Sequence, residues 1–335
     1  MAAETTLGDD VITGTGADDE LFGDVIGEDG VLSGSTVGGN DLIRSGGGSD
    51  RVIGDAFRLE DTARGGDDTI EGGGGGGPSG DNLSGDAQVM TGQAVGGDDL
   101  IRGGSGLNVI AGESRDMSGF TFGGDDTLEG GSGVDSHWGD GFFMTGNAHG
   151  GDDSVSGGSG NDQLSGDAWA VMRDEAQGGD DEVRGGSGDD NLFGDHVDQM
   201  AGSSRGGDDL VIGGTGNDSL HGDCSWLADS AQGGDDRLEG GRGDDNLYGD
   251  AVIVDAGART GEDTFVFAGQ FDNDRVFDFR QGEDLLEFSL PDTVGQDDLA
   301  IETVEGDTVI TAGTHGTVTL VGFTGTLTEM DFVLA

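Results

Sequence analysis

The chain has 335 residues, of which 69 are acidic and 14 basic, giving a formal net charge of -55; glycine supplies 74 residues, proline 2 and aromatics 6%. Every basic residue is arginine. So acidic a chain repels nucleic acid and anionic membranes, and it opposes its own compaction unless cations neutralise it.

The start, MAAETTLGDDVITGTG, has no basic segment followed by an apolar one, and no stretch of 18 apolar residues occurs anywhere. Neither an N-terminal secretory signal nor a membrane-inserting helix is expected. The single cysteine, Cys224, excludes an internal disulfide and reads as a small residue in a repeat loop.

From there the chain is periodic. A Gly-Gly pair followed by Asp or Asn and then Asp begins at Gly38, Gly65, Gly96, Gly123, Gly150, Gly178, Gly206 and Gly233, with degenerate copies at Leu7 to Asp10 and Gly261 to Asp263. Successive spacings are 27, 31, 27, 27, 28, 28 and 27, the long one explained by surplus glycines at Gly72 to Gly75. Two residues after the second Asp stands an apolar column: Ile43, Ile70, Ile101, Leu128, Val155, Val183, Val211 and Leu238. A second acidic column follows nine residues on, and two residues beyond it comes another apolar column: Val52, Leu83, Ile110, His137, Leu164, Leu192, Leu220 and Leu247. His137 reads as a tolerated substitution. A third acidic column ends the Gly-Asp pairs at Asp55, Asp86, Asp140, Asp167, Asp195, Asp223 and Asp250, with Glu113 in the odd copy.

One apolar position per nine residues, bounded by Gly and Asp, cannot make an amphipathic helix but can make a short strand between turns. Stacked units give a solenoid with a thin core. The expected fold is all-β, a right-handed parallel β-roll or β-helix of about 27-residue coils over residues 1–260, with a C-terminal β cap over 261–335. The last nine or ten residues of each unit, such as AWAVMRDEAQ and CSWLADSAQ, vary in sequence but hold their length. Alternation such as Trp169 with Val171 predicts strand character along one side of the solenoid.

Aspartates one coil apart stand roughly 5 Å from each other, so each column is a line of repulsion. Turns rich in carboxylates and glycine carbonyls suit Ca²⁺, which takes six to eight oxygens at about 2.3 to 2.6 Å. A transition metal would want His or Cys at repeat positions, and neither recurs.

The unit G-G-x-G-x-D-x-U-x resembles the repeats-in-toxin (RTX) nonapeptide, which builds calcium-bound parallel β-rolls. The likeness covers about residues 8 to 264. It implies multiple Ca²⁺ ions and one ligand row of Asp41, Asp68, Asp99, Asp126, Asp153, Asp181, Asp209 and Asp236. It implies another of Asp50, Asp81, Asp135, Asp162, Asp190, Asp218 and Asp245, and Asp263 of the closing copy joins the ligand set. The unit that opens at Gly96, with Asn108 and Glu113, is expected to have a weaker site or none. RTX coils have 18 residues, and the longer coils here leave two shapes open: a two-sheet roll with lateral excursions, or a three-sided helix. The third acidic column lies outside the nonapeptide. It reads either as solvated turn aspartates or as extra calcium ligands at Asp167, Asp195, Asp223 and Asp250.

Residues 261 to 335 leave the period and alternate apolar and polar residues as half-buried strands do. They resemble the C-terminal region of RTX proteins exported by type I secretion, including the closing MDFVLA, which implies the type I machinery as a partner and an extracellular or cell-surface location. Catalytic signatures are sparse: GSSRG at Gly202 to Gly206 lacks the strand-to-helix context of a nucleophile elbow, and no H-E-x-x-H occurs. The sequence favours a secreted, non-catalytic calcium-binding structural protein. Two other classes are open: a module binding polysaccharide, ice or its own copies through Trp138, Trp169, Trp226, Phe142 and Phe143, and part of a polysaccharide-modifying enzyme.

Overall fold

A computed structural model describes residues 7–24, 30–74, 80–290 and 299–334. Gly75, the last of the surplus glycines, and Ala335 of the closing MDFVLA lie outside the described residues. Among those described, the strands form three sheets of twelve, thirteen and nine strands. All pairings are parallel except the two that join Ala300–Val304, Asp307–Ala312 and Gly316–Leu320. The one helical element described is the short 3₁₀ turn Glu329–Asp331.

One coil shows how the sequence builds this. The Gly-Asp-Asp turn at 207–209 leads into Leu210–Thr215 of the first sheet, and Gly216-Asn217-Asp218 turns the chain into Ser219–His221 of the second. Gly222-Asp223 turns it again into Cys224–Leu227 of the third sheet. The chain then reverses and returns through an isolated bridge at Gln232 to the next Gly-Gly pair. Each repeat position pairs with its own copy one coil on, as in Ile101 with Leu128 and Ile110 with His137. Close coil stacking explains the glycines: Gly216 has φ 134°, and a Cβ there would stand 1.8 Å from the Gly188 carbonyl oxygen.

Both predicted apolar columns are buried and form one cluster between the first and second sheets. The third sheet does not share that core. It packs instead against its own return strand around a column of Leu59, Met90, Met117, Met144, Met172, Met200 and Leu227. Small residues face this column, among them Ala56, Ala87, Ala168 and Cys224 on the strand side and Ala63, Ala94, Ala148, Ala176 and Ala231 on the return. The shape is therefore a two-sheet roll with a lateral lobe on each coil up to Ala251–Val254. Cys224 fills an alanine position at the start of a strand, not a loop as expected. The alternation read from Trp169 and Val171 also differs from what forms. Those side chains are half-buried, and the inward pair is Ala168 and Met172, four residues apart, where the register shifts against the neighbouring strand.

The variable segments keep their length because their turn fixes a backbone conformation. Asp61, Asp174 and Asp229 stand at φ 58° to 68°, and Gly92, Gly119, Gly146 and Gly202 stand at φ 76° to 97° in the same place. Only glycine, or aspartate with its short polar side chain, enters this left-handed region readily.

Beyond the last lobe strand, Ala251–Val254, two sheets continue without the third. Thr264–Ala268 and Leu285–Ser289 extend the first sheet, and Asp272–Val276 extends the second. Phe265, Phe267, Phe271, Phe279, Phe288 and Phe332 join the end of the first core.

Candidate metal centres

The first predicted row lies at the turn entering the first sheet. The backbone N–H of each aspartate donates to Oδ1 of the aspartate one coil later: Asp41 to Asp68, Asp68 to Asp99, and onward through Asp126, Asp153, Asp181, Asp209 and Asp236 to Asp263, at 2.6 to 3.1 Å. The second oxygen of each is buried and has no hydrogen-bond partner. The fixed repeat thus places one oxygen of every carboxylate in a backbone ladder and leaves the other aimed into the protein.

The second row repeats this at the turn between the first and second sheets. Asp50 donates to Asp81 at 2.9 Å, and Asp135, Asp162, Asp190, Asp218 and Asp245 follow one another at 2.8 Å. Oδ2 of Asp50, Asp135, Asp162, Asp190, Asp218 and Asp245 is again unpartnered. The ladder breaks at the odd unit: the Asp81 N–H goes to the Leu107 carbonyl, and the Asn108 side-chain amide donates to Asp135 Oδ1 at 3.0 Å. Both rows run further than the sequence pattern indicated. Asp10 and Asp19 precede them, and Asp284 and Asp274 continue them past the period.

The third column corrects one reading. Asp24, Asp55, Asp86, Glu113, Asp140, Asp167, Asp195, Asp223 and Asp250 are each 0% exposed, so they are not solvated turn residues. They stand where the chain leaves the roll for the lobe. There each accepts a hydrogen bond from a glycine N–H where the lobe returns, 15 residues later for Asp24 and 11 or 12 for the others, as in Asp195 with Gly207 at 2.8 Å and Asp223 with Gly234 at 2.8 Å. A carboxylate at the neck of every lobe closes it.

Burial is the main force on these groups; in the second row the N–H donated from the preceding coil opposes it, and in the first row and the neck neighbouring carboxylates add to it. Burial pushes Asp135, Asp190 and Asp245 up to about 6 and Asp218 to about 7. Asp153, Asp181, Asp209, Asp167 and Asp223 are raised well above the carboxylate range by burial together with the charges of adjacent columns. Two unit charges 5 Å apart repel by about 3 kcal/mol at an effective dielectric of about 20, so rows of this kind need protons or cations. The described arginine ion pairs lie mostly on the surface, such as Arg44–Glu71 and Arg102–Glu129. Arg280 reaches the rows at their far end, touching Asp250 and lying 3.8 Å from Asp263.

Among the described residues, no three His, Cys, Asp or Glu side chains group to hold an ion by themselves. Any site must therefore draw on backbone oxygen as well. It is at hand: a Cβ on Gly194 would stand 1.9 Å from the Gly222 carbonyl oxygen and 2.0 Å from Asp209 Oδ2, so both oxygens converge there. An all-oxygen set with unpartnered carboxylate oxygens fits calcium.

The family model for the RTX calcium-binding nonapeptide repeat matches residues 4–25, 36–58, 93–114, 120–141, 145–168, 175–196, 204–223 and 230–251. The chain belongs to the RTX calcium-binding repeat family. Like that family, it binds calcium through many repeat copies. No curated protein matches the chain. Among solved structures it is similar to the extracellular lipase LipA from Serratia marcescens, at 18% identity and a TM-score of 0.30. That match covers 74% of this RTX chain and 41% of the lipase, a likeness too loose to carry an argument about activity.

Proposed function

We propose that this RTX protein is a secreted, non-catalytic structural element of a cell surface or extracellular matrix whose coils fold around Ca²⁺. The observation that carries the reading is the pair of carboxylate ladders in which one oxygen is fixed by a backbone N–H of the preceding coil and the other is buried without a partner. Asp41, Asp68, Asp99, Asp126, Asp153, Asp181, Asp209, Asp236 and Asp263 would hold one row of ions. Asp50, Asp81, Asp135, Asp162, Asp190, Asp218 and Asp245 would hold the other, on the order of 14 to 16 ions in all. Bound calcium supplies positive charge with flexible oxygen coordination between coils. The glycines let neighbouring turns approach closely enough to share it, and the two thin cores order the strands once repulsion is gone. Export by a type I machinery accords with the resemblance of residues 261–335 to the C-terminal region of exported RTX proteins. Circular dichroism in excess chelator should give a coil spectrum at neutral pH, and millimolar calcium should convert it to strand. A strand-rich spectrum in chelator would refute calcium-dependent folding.

A cleft favours polysaccharide as the partner. Between the outer faces of the second and third sheets lies a cavity of about 220 Å³, lined by Asn82, Gln88, Arg115, Trp138 and Phe142 among others. Aromatic rings beside hydrogen-bonding side chains suit a sugar ring. Trp138 packs on Phe142 and on Trp169 with centroids 5.4 Å apart, and Trp226 is 39% exposed further along the lobes. Replacing Phe142, Trp169 and Trp226 with Ala should leave the calcium midpoint of folding unchanged while weakening retention on a glycan array or self-association. Loss of calcium-induced folding in that variant would mark these rings as core instead.

A further inference from the structure

The neck carboxylates are unneeded for the two ladders, yet among the described residues Arg280 beside Asp250 is the one cation paired with them. Asp167, Asp195 and Asp223 are 0% exposed, and each keeps one oxygen with no partner. At glycines at the base of the lobes, the free oxygen of one neck carboxylate meets the hydrogen-bonded oxygen of the next. A Cβ on Gly178 would stand 2.1 Å from Asp167 Oδ2 and 2.6 Å from Asp195 Oδ1; on Gly206, 2.1 Å from Asp195 Oδ2 and 2.7 Å from Asp223 Oδ1. Carboxylates of successive coils thus face one another around a residue that has no side chain to separate them.

The neighbouring first row points its own unpartnered oxygens toward the same seam. Asp181 Oδ2 lies against Gly166 and Asp209 Oδ2 against Gly194, the glycines directly before Asp167 and Asp195. The seam has apolar side chains on both flanks, since the residues that follow the first row belong to the first core and those that follow the neck belong to the second. Burying two like charges per coil without compensation costs several kcal/mol per charge.

We propose that the neck column is a second set of cation ligands, so that each coil holds its inner Ca²⁺ with two carboxylates, one from the neck and one from the first row, whereas the outer row offers one. This rests on the calcium-folding reading above and divides the ions into two classes. Sites with more carboxylates bind calcium more tightly, so the inner ions are the last to leave. Glu113 keeps the arrangement in the odd unit, where its longer side chain is fully buried and retains a free Oε2.

The test uses the full chain with calcium counted by equilibrium dialysis against chelators of rising strength. The wild type should release its ions in two steps. Asp167→Asn, Asp195→Asn and Asp223→Asn together should move roughly three ions from the tight to the weak step, while Asp162→Asn, Asp190→Asn and Asp218→Asn together should deplete the weak step alone. The single change Asp195→Asn should shift one ion and guards against misfolding of the triple variant. Terbium luminescence lifetimes in H₂O and D₂O give a second readout, with fewer bound waters on the tight class. Unchanged two-step release in the neck variants would overturn the proposal and leave those carboxylates sharing protons. A wild type that binds no calcium would instead sink the calcium-folding reading itself.

Discussion

At residue scale, His137 is the plainest departure from the repeat. It occupies the column that other coils fill with leucine, isoleucine or valine, is fully buried, and has no partner on either ring nitrogen. Burial pushes its imidazole down to about 3, so the ring is neutral at physiological pH. An unpaired buried polar group costs about 1 to 3 kcal/mol. His137→Leu should therefore raise stability by about that amount, measured by denaturant unfolding in saturating calcium. A loss of stability on that change would show that the ring makes a contact which leucine cannot replace. The Asn108 amide, one coil earlier, donates toward Asp135 where other coils offer a carboxylate. Asn108→Asp should restore the ladder and add one bound calcium ion by dialysis, with no gain if the turn cannot admit another charge.

At the scale of elements, the lobe is what the sequence hid. The two ladders and the first core follow from residues at fixed intervals whose positions within a strand alternate, and the strands at Thr264–Ala268, Leu285–Ser289, Asp307–Ala312 and Gly316–Leu320 are likewise readable from alternation. The second core breaks that rule, because Ala168 and Met172 face inward four residues apart across a register shift. A signal was present: Met90, Met117, Met144, Met172 and Met200 recur at coil spacing. Burial of the neck carboxylates was not legible either, since it depends on an N–H donated from 11 or 12 residues away rather than on any local pattern. Met144→Ala should cost about 2 to 5 kcal/mol, as truncation of a fully buried methionine does. Hydrogen exchange should rise first in the lobes flanking residue 144 and leave the first core protected. Uniform loss of protection would show that the two cores unfold as one.

For the whole molecule, charge and connectivity set the behaviour. The net charge of -55 is tolerable only with cations or protons on the buried rows. In chelator, the folded-state values of Asp135, Asp190, Asp218 and Asp245 lie above those of the unfolded chain. Their contribution to stability is then complete below the unfolded value and is lost as the pH rises through about 6 to 7. Metal-free protein should accordingly gain strand signal as the pH is lowered from 7 toward about 4, followed by circular dichroism; a coil spectrum across that range would count against it.

Because each coil touches only its neighbours, an end that is well packed stabilises what is stacked upon it. Deleting residues 261–335 should raise the calcium needed to fold residues 1–260, and an unchanged midpoint would mean the roll starts elsewhere. The ladders sharpen this expectation, since every bond in them has the same sense. The amide of Asp41 is met by Asp68, that of Asp236 by Asp263, and that of Asp263 by Asp284. A coil can satisfy its turn amide only when the coil after it is already in place. The residue after each aspartate donates the other way, as Thr69 does to the Asp41 carbonyl, so the aspartate amides alone favour growth from the C-terminal end backward. A chain delivered into calcium with that end leading would find an acceptor waiting for these amides at each step, and in one delivered in the opposite order they would have to wait for its last residues.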